Sequence, residues 1–311
     1  MTQKTDLPML NMGSSKLPLP MIKIEQVMPD DKTDLKCAPH ITFENGSCIP
    51  LHVLIKLTDA YNIYCDKENL DSKIATNDRL ETLYPDEYKR YLLYEFGKRN
   101  KKSQHKWLKH KCTQFMTEDD KDDLQNNTFR PEGPQGKFDW LSTFDINYAL
   151  AQYENKYPEF RFLGAVPIDF NDLNGLPFKT LDFNELYNSG KTKIGVVFNL
   201  DEHDKGGSHW VSLYADLDKG QIYFSDSYGI KPERRIVAFM DKIDKYLTTE
   251  RGISKPDVRY NKTQHQKGNS ECGVYSINFI LRLLKGKSFD HLTQKRITDE
   301  SVNQCRLIYF K

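Results

Sequence analysis

The sequence predicts an α+β fold: a small mixed sheet packed around one central helix, with a helical accessory region on its N-terminal side. Three observations carry that expectation. The stretch Cys272 to Lys285 (CGVYSINFILRLLK) is apolar on most helical faces, and such a helix has to lie deep in a core. Several short apolar or alternating runs of strand length precede it. Upstream of an acidic and then Gly/Pro-rich stretch, residues 118–136, apolar residues recur at helical spacing instead.

Taken in order, residues 1 to about 35 mix prolines, lysines and aspartates without a sustained period and are expected to form a flexible arm. Pro50 suits a first helical turn, and Leu51, Leu54, Ile55, Thr58 and Tyr61 follow at helical spacing. Leu80 to Phe96 and the basic stretch Lys98 to Lys111 continue the helical pattern. The run Glu118 to Asp123 (EDDKDD) and the segment Arg130 to Gly136 (RPEGPQG) have linker composition, so the main boundary is expected there, with an accessory region over 36–130 and the principal domain over 131–311. Trp140 to Tyr153 reads as a helix capped by Ser142 or Thr143, with Ile146, Leu150 and Tyr153 on one face. Ile194 to Leu200 is a buried strand. Trp210 to Asp216 and Gln221 to Asp226 are two further strands joined across Leu217-Asp218-Lys219-Gly220 as a hairpin. Glu233 to Leu247 is an amphipathic helix with Ile236, Val237, Met240, Ile243 and Leu247 inward, and Asp257 to Asn261 is a short strand. Gly286 closes the central helix as a C-cap.

With 311 residues, 38% of them hydrophobic, the chain can bury one substantial core and a smaller one. A net charge of +1 offers no general affinity for nucleic acid. The N-terminus is not an apolar signal peptide, and no run approaches a membrane span, so neither secretion nor a membrane partner is expected. Six scattered cysteines in a chain of this size are expected as reduced thiols in a cytosolic setting.

The chemistry gathers in three places. Cys272 opens the central helix, where free N–H groups and partial positive charge favour a thiolate, and Gly268 and Gly273 allow close backbone approach. Alone it reads as a buried, inert thiol. His209 follows the flexible Lys205-Gly206-Gly207-Ser208 and starts a strand, so its imidazole belongs at a sheet end. Asp226 ends the next strand, and the hairpin returns that end toward His209, where a carboxylate fixes the imidazole tautomer and stabilises its cation. Ser227 and Asp216 compete weakly for that role, Asp216 from the far end of its strand. Gln266, six residues before Cys272, supplies a neutral amide donor to an oxyanion, with Gln264 as its competitor. Trp210 beside the base, Trp140 and Gly207 are expected to wall a narrow substrate channel that admits only small residues next to the cut.

The order His209-Trp210, Asp226, Gln266-x5-Cys272-Gly273 resembles the adenain and SUMO-deconjugating cysteine proteases, over roughly Trp140 to Leu284. Phrases on both sides of the expected boundary, Phe43-Glu44-Asn45-Gly46-Ser47-Cys48, Trp140-Leu141-Ser142, Pro167-Ile168-Asp169-Phe170 and Phe198-Asn199-Leu200-Asp201 among them, are similar to the thiol proteases of large DNA viruses related to the African swine fever virus polyprotein protease. The resemblance implies an adenain-like fold, with 131–311 as the catalytic domain and Cys272, His209, Asp226 and Gln266 as its catalytic residues. It also implies cleavage of viral structural polyproteins after small residues, of Gly-Gly-X type, during virion maturation. The swine fever enzyme has Asn at the orienting position, where this chain has Asp226. Removal of ubiquitin-like modifiers is the enzymatic alternative, and a non-catalytic interaction protein the rival from another class. No cofactor is expected. The expected partner is a protein substrate, and the expected place of action is the virion and the assembly sites of the host cytoplasm.

Two further features stand apart. Cys37-x2-His40 and Cys48-x3-His52 have zinc-type donors, but only seven residues separate the pairs, and Cys48 reads better as a residue leading into a helix; no metal is expected. Lys98 to Lys111 interleaves cations with Trp107. It reads as a solvated helix with at most weak, nonspecific nucleic-acid affinity.

Overall fold

Every residue of Trp210–Asp216 is buried, which places this strand at the centre of a five-stranded sheet. The computed structural model describes residues 36–311; the expected N-terminal arm lies outside the described residues. These divide into two compact units, one formed by Phe43–Gln125 and the other by the residues up to Thr42 together with Asn126–Lys311. The sequence assigns residues 36–42 to the helical region. They belong to the second unit because Cys37 bridges to Phe129 and the Ala38 amide donates to the Thr128 carbonyl.

The first unit holds α1 (Leu51–Lys67), α2 (Asp78–Leu83), α3 (Pro85–Arg99), α4 (Gln104–Trp107), a 3-10 turn at Lys111–Phe115 and α5 (Glu118–Asn126). Pro85 at the first position of α3 splits the predicted Leu80 to Phe96 helix in two. The basic stretch is not one solvated helix. It breaks after Arg99, Trp107 is 1% exposed against Phe96, and its indole N–H donates to the Lys102 carbonyl, so no stacking platform faces solvent there. The acidic run, read as a linker, is helical: Leu124 anchors α5 in the core and Asp120 pairs with Lys56 of α1. Cys37 and Cys48 are disulfide-bonded rather than reduced, which also removes them as thiolate ligands.

The second unit carries α6 (Thr143–Lys156), β1 (Phe160–Pro167), α7 (Phe183–Asn188), β2 (Lys193–Asn199), β3 (Trp210–Asp216), β4 (Gln221–Ser225), α8 (Arg234–Thr249), β5 (Asp257–Tyr260), α9 (Cys272–Leu284), α10 (Phe289–Thr293), α11 (Asp299–Gln304) and α12 (Arg306–Tyr309). The sheet runs β1-β2-β3-β4-β5, parallel at its two outer pairs and antiparallel within. Strand alternation sends Trp210, Tyr214 and Tyr223 to one face, against α9 and α6. Val211, Leu213, Ile222 and Phe224 go to the other, against α8. Eleven of the thirteen α9 residues are buried, as its composition requires. Val237, expected inward on α8, is 37% exposed, and Phe239 and Tyr246 take core positions instead. Ser142 caps α6 in a reciprocal capping box with Asp145. The segment 131–139 is pinned by the buried Arg306, whose guanidinium donates to the carbonyls of Pro134 and Asp139.

Candidate active site

The site is assembled at one end of β3 and β4. His209 immediately precedes β3, and Asp226 immediately follows β4. The hairpin between them closes on Asp216, whose carboxylate accepts from the amides of Asp218 and Lys219; its role is in the turn, far from the imidazole. His209 Nε2 lies 2.8 Å from Asp226 Oδ1. With that nitrogen engaged, Nδ1 is the atom left for the Cys272 thiol, which also acts on the imidazole electrostatically. Burial opposes the imidazolium, but Asp226 and Cys272 outweigh it and raise the His209 pKa to about 9. Asp226 is itself fixed from three directions, by His209, by the Tyr228 amide at 2.8 Å on its carboxylate, and by the Asn261 amide at 2.9 Å on its carbonyl.

Cys272 is the first residue of α9 and is 2% exposed. The Gly273 that follows it packs closely: a Cβ there would stand 3.0 Å from Leu141 Cβ, which would have to give way by a few tenths of an ångström. Leu141 in turn accepts the Trp210 indole N–H on its carbonyl at 2.9 Å, so helix start and strand start share one support. The loop before Cys272 is held by Asp299, which accepts from the amides of Lys267 and Gly268 and from the Tyr275 hydroxyl.

Gln266 is fully buried. Its Oε1 accepts from Ser227 Oγ at 2.6 Å, which orients the amide, and its Nε2 donates to the Gly268 carbonyl at 3.1 Å. Ser227, weighed in the sequence as a competitor of Asp226, therefore serves the amide and not the imidazole. Gln264 donates to the Gln266 carbonyl and does not replace it.

Trp140, Gly207 and Trp210, the expected substrate-binding residues, line one cavity of about 460 Å³ with Leu141, Pro167 and Asn199. Gly207 has φ +84°, and a Cβ on it would meet the Asn199 side chain at 2.9 Å. Asn199 also accepts from the amides of Asp201 and Ser208, so it shapes the loop that leads to His209. Asn199, Asn261, Asp299 and Tyr228 escape a reading of the sequence. Only Tyr228, an aromatic two residues past Asp226, carries a local signal. Among the described residues no cluster of His, Cys, Asp and Glu is arranged to hold a metal ion.

A thiol, an imidazole and a carboxylate in series, with a neutral amide nearby, define the chemistry of a cysteine-type hydrolase. Comparison with known proteins agrees. The Ulp1 protease family, C-terminal catalytic domain, matches residues 191–311. A protein of Acanthamoeba polyphaga mimivirus that bears a thiol-protease name is 36% identical over 275 residues, covering 86% of this chain and 90% of its own length. An African swine fever virus protein named a SUMO-1 cysteine protease is 25% identical over 198 residues, 59% of this chain and 72% of its own. A crystal structure of the African swine fever virus protease shares the fold, with a TM-score of 0.59 at 22% identity over 89% of this chain and 95% of that one. The chain belongs to the Ulp1-like cysteine protease family, in the company of thiol proteases of large DNA viruses, and is a cysteine-type peptidase.

Proposed function

We propose that the chain is an endopeptidase that cuts viral structural polyproteins after small residues, of Gly-Gly-X type, during virion maturation, acting in the virion and at assembly sites in the host cytoplasm. Cys272 is its nucleophile, His209 its base and acid, Asp226 the group that orients His209, and Gln266 a donor to the oxyanion. One observation carries the reading: His209 is hydrogen-bonded to Asp226 at 2.8 Å, and Asp226 and Cys272 both act on the imidazole to raise its pKa. In the reaction, the Cys272 sulfur adds to the scissile carbonyl while His209 holds the proton. The C–N bond then breaks as His209 protonates the leaving amine, which leaves a thioester. Water, deprotonated by His209, adds to the thioester, and the C–S bond breaks to release the acid and restore the thiol. Gln266 Nε2 and the Cys272 amide are the donors available to the oxygen that gains charge in both halves.

The preference for small residues follows from access. With Cys272 only 2% exposed beside Trp210 and Leu141, a peptide reaches the sulfur only if no side chain flanks the reacting carbonyl. On a matched pair of peptides, Gly-Gly-X and Gly-Leu-X, kcat/KM should favour the first by at least ~100-fold. Trp210→Ala should narrow that gap while slowing turnover. Equal values in the unmodified enzyme would remove the narrow channel from the account.

Removal of ubiquitin-like modifiers is a second reading of the same site, since isopeptide and peptide carbonyls meet the same nucleophile, and a viral relative carries a SUMO-1 protease name. Cleavage of folded modifier precursors with no turnover of short Gly-Gly peptides would favour it.

A further inference from the structure

We propose that Tyr228 is a positioning residue that couples the base to the oxyanion donor, its ring holding the His209 imidazole and its hydroxyl fixing the Gly268 carbonyl from which the Gln266 amide hangs. The proposal rests on the roles given above to His209 and Gln266. Three contacts from one residue carry it. The Tyr228 ring stacks on His209 with centroids 4.9 Å apart and planes inclined by 30°. Its backbone amide donates to Asp226 Oδ1, the oxygen that also faces His209 Nε2. Its hydroxyl donates to the Gly268 carbonyl at 2.8 Å, and that carbonyl accepts Gln266 Nε2 at 3.1 Å.

The geometry divides the residue into separable parts. The imidazole is hydrogen-bonded edge-on to the Asp226 carboxylate, a bond about which it can tilt, and a ring against its face removes the tilt. Gln266 is gripped at Oε1 by Ser227, so the direction of its N–H groups depends on where the Gly268 carbonyl sits. Gly268 lies in a loop whose amide side is tied to Asp299, and Tyr228 secures the carbonyl side. A Phe keeps the stack and releases the carbonyl; a Leu loses both. The backbone bond to Asp226 survives either change.

The test is a double-mutant cycle on a Gly-Gly-X peptide, with kcat, KM and melting temperature measured for Tyr228→Phe, Tyr228→Leu, Gln266→Ala and the two combinations. Tyr228→Phe should lower kcat about fivefold at unchanged KM, the worth of one neutral hydrogen bond. Gln266→Ala should lower it about 100-fold. Added to Gln266→Ala, Tyr228→Phe should cost nothing further, because the amide it aims is gone. Tyr228→Leu should cost more than Phe and keep its extra loss in the Gln266→Ala background, since that loss acts through His209. A Tyr228→Phe effect that is absent, that appears in KM, or that persists in full beside Gln266→Ala overturns the coupling. Equal losses in Phe and Leu that track melting temperature also overturn it, as a purely structural role would. Cys272→Ala serves as the control: turnover in that variant would defeat the catalytic roles themselves, whereas an inactive Cys272→Ala beside a normal Tyr228→Phe would defeat this inference alone.

Discussion

Two corners of the molecule each pair a buried tryptophan with a histidine, and they behave in opposite ways. Trp107 and Trp210 are 1% and 6% exposed, and each donates its indole N–H to a backbone carbonyl, of Lys102 and Leu141. The histidines differ. His110, set against Tyr61 and Tyr64, has its pKa lowered by burial and then by Lys102 and Lys111, and its Nδ1 accepts from the Cys112 amide as only a neutral ring can. His209 is buried too, yet Asp226 and Cys272 lift its pKa to about 9. A tryptophan beside a histidine thus says little by itself. A carboxylate and a thiol converging on the imidazole at an open sheet end separate a site from a packed corner.

The largest expected contrast comes from deleting chemistry in one corner and packing in the other. Cys272→Ala or His209→Ala should lower turnover by ~10⁴-fold or more with the fold intact, as loss of a nucleophile or its base does. Trp107→Ala should leave the turnover of folded molecules unchanged while costing about 3–5 kcal/mol of stability in its own unit, readable by denaturant unfolding. A large activity loss in Trp107→Ala at temperatures where it stays folded would erase the distinction.

A smaller contrast lies in pH. His209 has a folded pKa above its unfolded value, so its stabilisation is complete below about 6.5 and is lost as pH rises through about 9. His110 has a folded pKa below its unfolded value, so the folded chain loses stability as pH falls through and below about 6.5. Unfolding measured from pH 5 to pH 10 should therefore show the alkaline loss vanish in His209→Ala and the acid loss shrink in His110→Gln. The His209 effect should be on the order of 3 kcal/mol at most. Identical profiles in both variants would contradict the opposite signs.

The smallest effect belongs to the basic stretch. Because Trp107 is buried, any nucleic-acid affinity of Lys98–Lys111 should be purely electrostatic and fall steeply with salt. Replacing Lys101, Lys102 and Lys106 by Gln should weaken retention of single-stranded DNA at low salt by about tenfold or less and leave peptide cleavage unchanged. Retention that is insensitive to salt would point to stacking and against this account.

Where the sequence was legible, a short-range pattern coincided with burial. Trp210–Asp216 and the α9 helix are buried along nearly their whole length, so apolar runs revealed them. β1 leaves no clear mark in the sequence because its alternation breaks at the bulge between Phe162 and Ala165, where Gly164 takes φ +111°. α5 has the composition of a linker: one buried leucine and a lysine from another helix hold it, and neither shows in an acidic run. His209, Asp226 and Cys272 stand out in the sequence because each sits at the end of a strand or helix with a recognisable stop, and Gln266, in the loop between β5 and α9, stands out only by its spacing to Cys272. Asp299, Asn261 and Asn199 carry no such mark, since each acts by bonding the backbone of another segment, and a polar side chain at the end of an element or in a loop carries no sign of its partner. The disulfide-bonded Cys37 and Cys48 contradict a reading based on compartment and chain size alone.

The most direct test of the central claim is to expose the unmodified protein to a Gly-Gly peptide ending in a vinyl sulfone and locate the adduct by peptide mass spectrometry. A single rapid adduct at Cys272, slowed at least ~100-fold in His209→Ala, is the predicted result. Labelling spread over Cys65, Cys112 and Cys305, or a rate at Cys272 unaffected by loss of His209, would contradict it.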